Sequence, residues 1–251
     1  MIALDDLKKI AKLKGINSLG YAEKDYLIEI VLLSIAKNTK DELIFKGGTC
    51  LFKFYKLNRF SEDIDFTLTK DLDIDLLFQK IISDLALFNI TTKVKNKKKV
   101  FNSFLTIMQM NGPLYNGKPF SLASVRIDIN TKSSIDLNPF NLRLDSIYPD
   151  IPAFSLRVMQ EKEILAEKVR AILSRTKARD VYDLWFLLTK GVEFDKTLIE
   201  KKLSYYNQKW NKAEFKKRLS SNEKIWGIEL SPLINTIPEF KTVKNLITSK
   251  L

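Results

Sequence analysis

The chain has 251 residues, 45% of them hydrophobic and 29% charged, and its 42 lysines and arginines outnumber its 30 aspartates and glutamates, giving a net charge of +12. These values suit a soluble globular protein of one large or two small domains, whose basic balance reflects either a polyanionic partner or a lysine-rich solvated surface. Histidine is absent and Cys50 is the single cysteine, which excludes Ser-His-Asp and Cys-His catalysis, histidine-ligated zinc, HExxH peptidases and any intrachain disulfide, and fits a reducing cytoplasm.

The N-terminus carries acidic residues early and lacks a long apolar core, so it does not read as a signal peptide. Apolar residues at helical spacing predict helices over Leu4–Leu13 and 21–36. The apolar run 26–36 is too short to span a bilayer and contains Glu29, so it reads as a core helix, with no membrane partner expected. A strand over 43–45 runs into Gly47, Gly48 and Thr49. A helix follows over 50–57, with Leu51, Phe52 and Tyr55 on its buried side and Cys50 as a small core residue. Next come a strand over 64–68, a helix over 72–88, and strands over 90–94 and 100–110 around a basic turn at 95–99. In the strand predicted over 124–130, Val125, Ile127 and Ile129 alternate with Arg126, Asp128 and Asn130. Residues 138–152 hold three of the seven prolines and mark a boundary. Helices at Glu161–Ser174, 180–189, 196–206 and 213–221 follow, and strands fade out. The expected organisation is an α/β domain over residues 1–152 and a helical domain over 153–251.

Chemistry concentrates in FKGGTCLFKFYKLNRFSEDIDFTL. Asp63 and Asp65 stand two apart in a strand, so their carboxylates share a face. Two like charges side by side call for a cation between them. Oxygen ligands without histidine or cysteine suit magnesium or manganese. Upstream, Gly47, Gly48 and Thr49 link a strand to a helix, where glycine allows close backbone approach and a helix start attracts phosphate. Neither a Walker A loop nor a GxGxxG fingerprint is present. Each element alone is weak, but with thirteen residues between Thr49 and Asp63 they place a phosphate cradle beside a metal site, as nucleotidyl transfer requires.

This glycine turn and Asp-x-Asp resemble the DNA polymerase β-type nucleotidyltransferase signature. More narrowly, KGGT…RFSEDIDF resembles the AbiEii/AbiGii family of abortive-infection toxins, which includes the MenT-type transferases. The resemblance implies an α+β fold: a nucleotidyltransferase-type mixed sheet with flanking helices, then a helical C-terminal domain. It implies a third carboxylate on a neighbouring strand, for which Asp128 in VRIDIN fits, with Asp136 as a rival and an outward-facing polar residue as the plain alternative. It places Ser61 and Arg59 in the nucleotide site with Gly47, Gly48 and Thr49.

A second family motif resembles EKEILAEKVRAILSRTKARDVYDLWFLL. Lys168 lies inside the apolar stripe formed by Ile164, Leu165, Val169, Ile172 and Leu173, so it must snorkel out or meet an anion, for which a triphosphate in an interdomain cleft would serve. Asp183 sits in a helix apolar almost all round and needs a cation or donor. By resemblance these two complete the active site. Asp180 reads instead as an N-cap or the partner of Arg179. Arg175, Lys177 and Arg179 are either phosphate contacts or a solvated basic loop.

Two basic groups bear on the acceptor. Lys93, Lys95, Lys97, Lys98 and Lys99 cluster at the predicted hairpin, either for phosphates or as edge-strand protection. Lys209, Lys212, Lys216, Lys217 and Arg218 lie with Tyr205, Tyr206, Trp210 and Phe215, either for unpaired bases or as an amphipathic helix. The resemblance implies a magnesium- or manganese-dependent transferase that moves a nucleoside monophosphate from an NTP to RNA, with a tRNA 3′ end as one acceptor, and that a separately encoded antitoxin restrains. Two alternatives stay open: a GTP- or RNA-binding growth inhibitor without catalysis, and transfer to a protein hydroxyl.

Overall fold

Alternating apolar and polar stretches become strands of one mixed sheet in the computed structural model, which describes every residue but Phe101 and every side chain but those of Lys97 and Val100. The strands are β1 (Leu43–Lys46), β2 (Asp63–Leu68), β3 (Thr92–Val100), β4 (Ser103–Met110), β5 (Ala123–Asn130), β6 (Phe140–Leu144) and β7 (Phe154–Val158). Their order is β3-β4-β5-β2-β1-β7-β6. The β2–β5 and β1–β7 pairs are parallel and the others antiparallel. With α1 (Leu4–Leu13), α2 (Leu19–Asn38), α3 (Gly47–Phe54) and α4 (Ile74–Leu87), the sheet forms a first unit of residues 1–54, 62–134 and 139–158.

Period-two alternation decides which face is buried. Ile64 and Phe66 of β2, Val125, Ile127 and Ile129 of β5, and Met108 and Met110 of β4 are buried. Helix α2 lies against β5 and β7, and α4 against β3. The opposite alternation leaves Asp63, Asp65 and Asp128 half-buried on the other face.

Helix α2 is a core helix, and its acidic residues are answered internally. Lys53 Nζ lies 2.6 Å from both Asp25 and Glu29, Lys14 reaches both at 2.5 and 2.9 Å, and the Tyr148 hydroxyl donates to Asp25 at 2.8 Å. Burial opposes ionisation of Asp25 and Glu29, but the two lysines outweigh it and hold both carboxyls below their ordinary range.

The second unit comprises residues 55–61, 135–138 and 159–251. Its helices are α5 (Glu161–Ser174), α6 (Ala178–Thr189), α7 (Lys196–Ser204), α8 (Lys212–Ser221), α9 (Trp226–Leu230) and α10 (Phe240–Ser249). The segment 135–138 is pinned by buried Glu163, which accepts the backbone N–H groups of Asp136 and Leu137 at 2.8 and 3.1 Å. Lys202, 1% exposed, bridges Glu163 and Asp136.

Three sequence expectations need correction. The division expected at residue 152 falls instead after Val158, because β6 and β7 continue the first unit's sheet through the proline-bearing segment. Lys95–Lys99 are not a turn: β3 runs on to Val100, paired with β4, with a bulge between Val94 and Asn96. Helix α3 starts at Gly47 rather than Cys50 and ends at Phe54. The expected strand residue Phe101 lies outside the described residues.

Candidate active site

The register of β2 against β5 sets Asp65 directly beside Asp128 and Asp63 beside Arg126. Paired residues on adjacent strands share a face and stand about 5 Å apart. The three carboxylates therefore form one patch, with Asp128 on the strand beside Asp65. On the other side of β2, register sets Lys46 of β1 beside Asp65, and Lys46 is 7% exposed. The Arg126 guanidinium approaches the Asp128 carboxylate at 3.7 Å. Asp128 Oδ1 is buried without a hydrogen-bond partner. Arg126 shares the alternation of Asp128 along β5, whereas Lys46 joins the carboxylates only through the pairing of β1 with β2.

Among the described residues no three carboxylate or cysteine side chains close into a ready-made metal cage. The donor set still suits a hard divalent cation: only carboxylates, on three half-buried residues, with one oxygen buried and unpartnered. Asp63, Asp65 and Asp128 are the residues that would hold it.

The glycine turn serves this patch in a way the sequence did not reveal. Gly47 has φ +77°, and a Cβ there would lie 2.5 Å from Asp65 Oδ2. Only glycine admits both the left-handed backbone and the close approach of that carboxylate. Gly47, Gly48 and Thr49 form the first turn of α3, the end of a helix whose N–H groups lack intrahelical acceptors and attract anions. The Thr49 side chain is fully buried and its hydroxyl donates to the Asp63 carbonyl, which fixes the start of β2 against α3.

The remaining expected site residues belong to the second unit. Asp183, fully buried in α6, accepts both Arg59 Nε and Nη2 at 2.7 Å. Lys168 of α5 lies 2.7 Å from Asp183 and 3.0 Å from Asp180. Arg175 closes the cluster on Asp180 at 2.8 Å. The carboxylate in the apolar helix thus meets two cations, and the lysine in the apolar stripe meets two carboxylates instead of snorkelling. Asp180 is not an N-cap, a position held by Lys177, and its partners are Lys168 and Arg175 rather than Arg179. Burial opposes its ionisation, but Lys168 and Arg175 hold its carboxyl well below the usual range. Burial likewise opposes the charge on Lys168, and Asp183 and Asp180 raise its pKa above the ordinary value. Arg59, Lys168 and Arg175 against Asp180 and Asp183 give 3 − 2 = +1 for these five side chains. Ser61 is 6% exposed in the same unit. Asp136, the rival third carboxylate, is bound by Lys201, Lys202 and Tyr205.

A family model described as nucleotidyl transferase AbiEii toxin, type IV toxin–antitoxin system, matches residues 31–244. The chain belongs to this AbiEii family. It is a nucleotidyltransferase of toxin–antitoxin type, and such enzymes generally use divalent metal ions. Among solved structures, the chain is similar to MenT4, a nucleotidyltransferase toxin of Mycobacterium tuberculosis H37Rv, at 16% identity and TM-score 0.72, over 100% of this chain and 88% of that one. It is also similar to JHP933 from Helicobacter pylori, at 18% identity and TM-score 0.57, over 93% and 90%. A third match is a crystal structure titled a nucleotidyltransferase from H. pylori, at 18% identity and TM-score 0.58, over 90% and 91%. These structural likenesses establish the AbiEii-type fold. No curated protein matches the sequence. Among the described residues, no helix is long and apolar enough to cross a membrane.

Proposed function

We propose that this AbiEii-family enzyme transfers a nucleoside monophosphate from an NTP to an RNA 3′ hydroxyl with magnesium, in the cytoplasm, and that a separately encoded antitoxin restrains it. The observation that carries the reading is the registered Asp65–Asp128 pair with the unpartnered Asp128 Oδ1. Asp63, Asp65 and Asp128 would hold one or two magnesium ions, which when bound neutralise phosphate charge and sharpen the acceptor hydroxyl. Manganese satisfies the same oxygen donors.

In the transfer, the acceptor hydroxyl oxygen forms a bond to the α-phosphorus, the bond from that phosphorus to the bridging oxygen breaks, and pyrophosphate leaves with the electron pair. The Asp128 carboxylate takes the hydroxyl proton. The N–H groups of Gly48 and Thr49 hold phosphate oxygens at the start of α3, and Gly47 keeps Asp65 against the turn. The family pattern assigns Arg59, Ser61, Lys168 and Asp183 to nucleotide handling. The net positive charge of the second unit's cluster supports an anionic ligand there. RNA is favoured as acceptor by the +12 net charge and the lysine-bearing strand β3.

The test is incubation with magnesium, total RNA and each α-labelled nucleotide in turn, beside Asp63→Asn. Label in RNA that disappears in the variant is expected. Label confined to protein contradicts the RNA acceptor, and nucleotide binding without any transfer contradicts the chemistry.

A further inference from the structure

Strand β3 is an edge of the sheet, and its Lys93, Lys95, Lys98 and Lys99 are exposed. Among the described residues none of the four pairs with a carboxylate. Lysines on an edge strand discourage strand addition, and that alone would account for them. It does not account for what lies at the start of the strand. A cavity of about 210 Å³ is lined by Thr91, Lys93, Gln109, Asn111, Tyr115 and Leu122.

Register places this cavity on the carboxylate face. Lys93 pairs with Gln109, and Gln109 with Ser124. Ser124, Arg126 and Asp128 alternate onto one face of β5. One row across the sheet runs Lys98, Leu105, Asp128, Asp65, and the adjacent row runs Asn96, Ile107, Arg126, Asp63. Arg126 therefore lies on the same face between the cavity and Asp128, and Lys98 lies on that face level with Asp128, on the edge strand. Four residues along a strand and one or two strands across separate the cavity from Asp128 by about 15 Å.

The wall of the cavity is built, not loose. The Asn111 N–H donates to the Thr91 carbonyl at 3.1 Å, and the Thr91 N–H donates to Asn111 Oδ1. Buried Glu23 accepts the Leu114 N–H at 2.7 Å. Gly112 packs so close that a Cβ there would lie 2.4 Å from Glu23 Oε1. Tyr115, 37% exposed, is carried on this fixed loop. Its ring can stack on a base, the Gln109 amide offers a donor and an acceptor to a base edge, and Lys93 can meet a phosphate.

We infer that the carboxylate face carries an acceptor subsite in which Lys93, Gln109 and Tyr115 hold an unpaired nucleotide of single-stranded RNA, while Arg126 leads its backbone to Asp128 and Lys98 flanks that end from the edge strand. The subsite rests on the proposal that RNA is the acceptor. The bound nucleotide lies a few positions before the reacting 3′ end.

The test uses the full chain and a fluorescent single-stranded RNA oligonucleotide, read by anisotropy across a salt series, with label transfer measured in parallel. Tyr115→Ala weakens binding on the order of tenfold and raises KM for RNA with little change in kcat. The triple variant Lys93→Gln/Lys95→Gln/Lys98→Gln flattens the slope of log affinity on log salt by about 2. The equal-charge control Lys224→Gln/Lys241→Gln/Lys250→Gln on exposed positions of the second unit leaves both unchanged. Unaltered affinity and slope in the β3 and Tyr115 variants, with RNA still labelled, overturn the subsite and leave the transfer intact. A triple variant that aggregates while its soluble fraction binds RNA normally also overturns it, in favour of edge protection. Wild-type protein that neither binds nor labels RNA, but labels protein, overturns the RNA acceptor and the subsite together.

Discussion

In the first unit Asp65 and Asp128 stand side by side on parallel strands with Asp63 two positions away, and the cations in register are Lys46 and Arg126, giving 2 − 3 = −1. In the second unit Asp183 takes Arg59 on both oxygens and Lys168 besides, while Asp180 takes Lys168 and Arg175. The first group is a surplus of carboxylate held by backbone register, with one oxygen left buried and unpartnered. The second is a closed ion cluster whose surplus is positive. Like charges that a fold holds together cost free energy until a cation arrives, which the proposed metal would supply. Ions taken out of water and answered internally are costly to separate, so the second group holds its helices together whatever else it binds.

Substitutions should separate the two groups cleanly. Asp65→Asn removes a charge from the surplus group and should lower transfer on the order of 10³-fold. Asp183→Asn strands buried Arg59, leaves Lys168 with Asp180 alone, and should cost about 3–5 kcal/mol in urea unfolding of the full chain. Gly47→Ala forces a side chain into the left-handed region and against Asp65, at about 1–3 kcal/mol of stability, together with a transfer defect from displacing that carboxylate.

Acidification tests the same contrast. The pKa of Asp180 is depressed in the folded chain, so its contribution is present above its unfolded pKa, about 4. It is lost as pH falls below that value. Asp25 and Glu29 of the first unit, also depressed, act in the same direction. Stability followed by circular dichroism should hold from neutrality to about pH 5 and decline below about pH 4. The smallest effect belongs to Arg175→Gln: its side chain is 61% exposed, and its loss should cost less than about 1 kcal/mol.

Much of both groups could be read from the sequence because their signals are local. Alternation in β2 and β5 put Asp63, Asp65 and Asp128 opposite the apolar face before any pairing was known. The 3.6-residue stripe of α5 flagged Lys168 as a cation in the wrong place, and the apolar run of α6 flagged Asp183. What stayed hidden was tertiary. Nothing local links Asp183 to Arg59, 124 positions earlier. Nothing local assigns segments 55–61 and 135–138 to the helical unit. The prolines at 139, 149 and 152 read as a boundary although β6 and β7 extend the sheet through them. The four lysines at 95–99 read as a turn because charge suggests exposure, and an edge strand satisfies that exposure equally well. Gly47 was legible as a special glycine, but its reason, the Asp65 carboxylate against its backbone, appears only in three dimensions.

The most direct test of the carboxylate group is transfer of α-labelled nucleotide to RNA by Asp128→Asn, measured beside wild-type protein with magnesium and with the metal chelated. The account predicts magnesium-dependent label in RNA for the wild type and its near-complete loss in the variant, with an unchanged circular dichroism spectrum and Tm. Transfer by Asp128→Asn at the wild-type rate would contradict it.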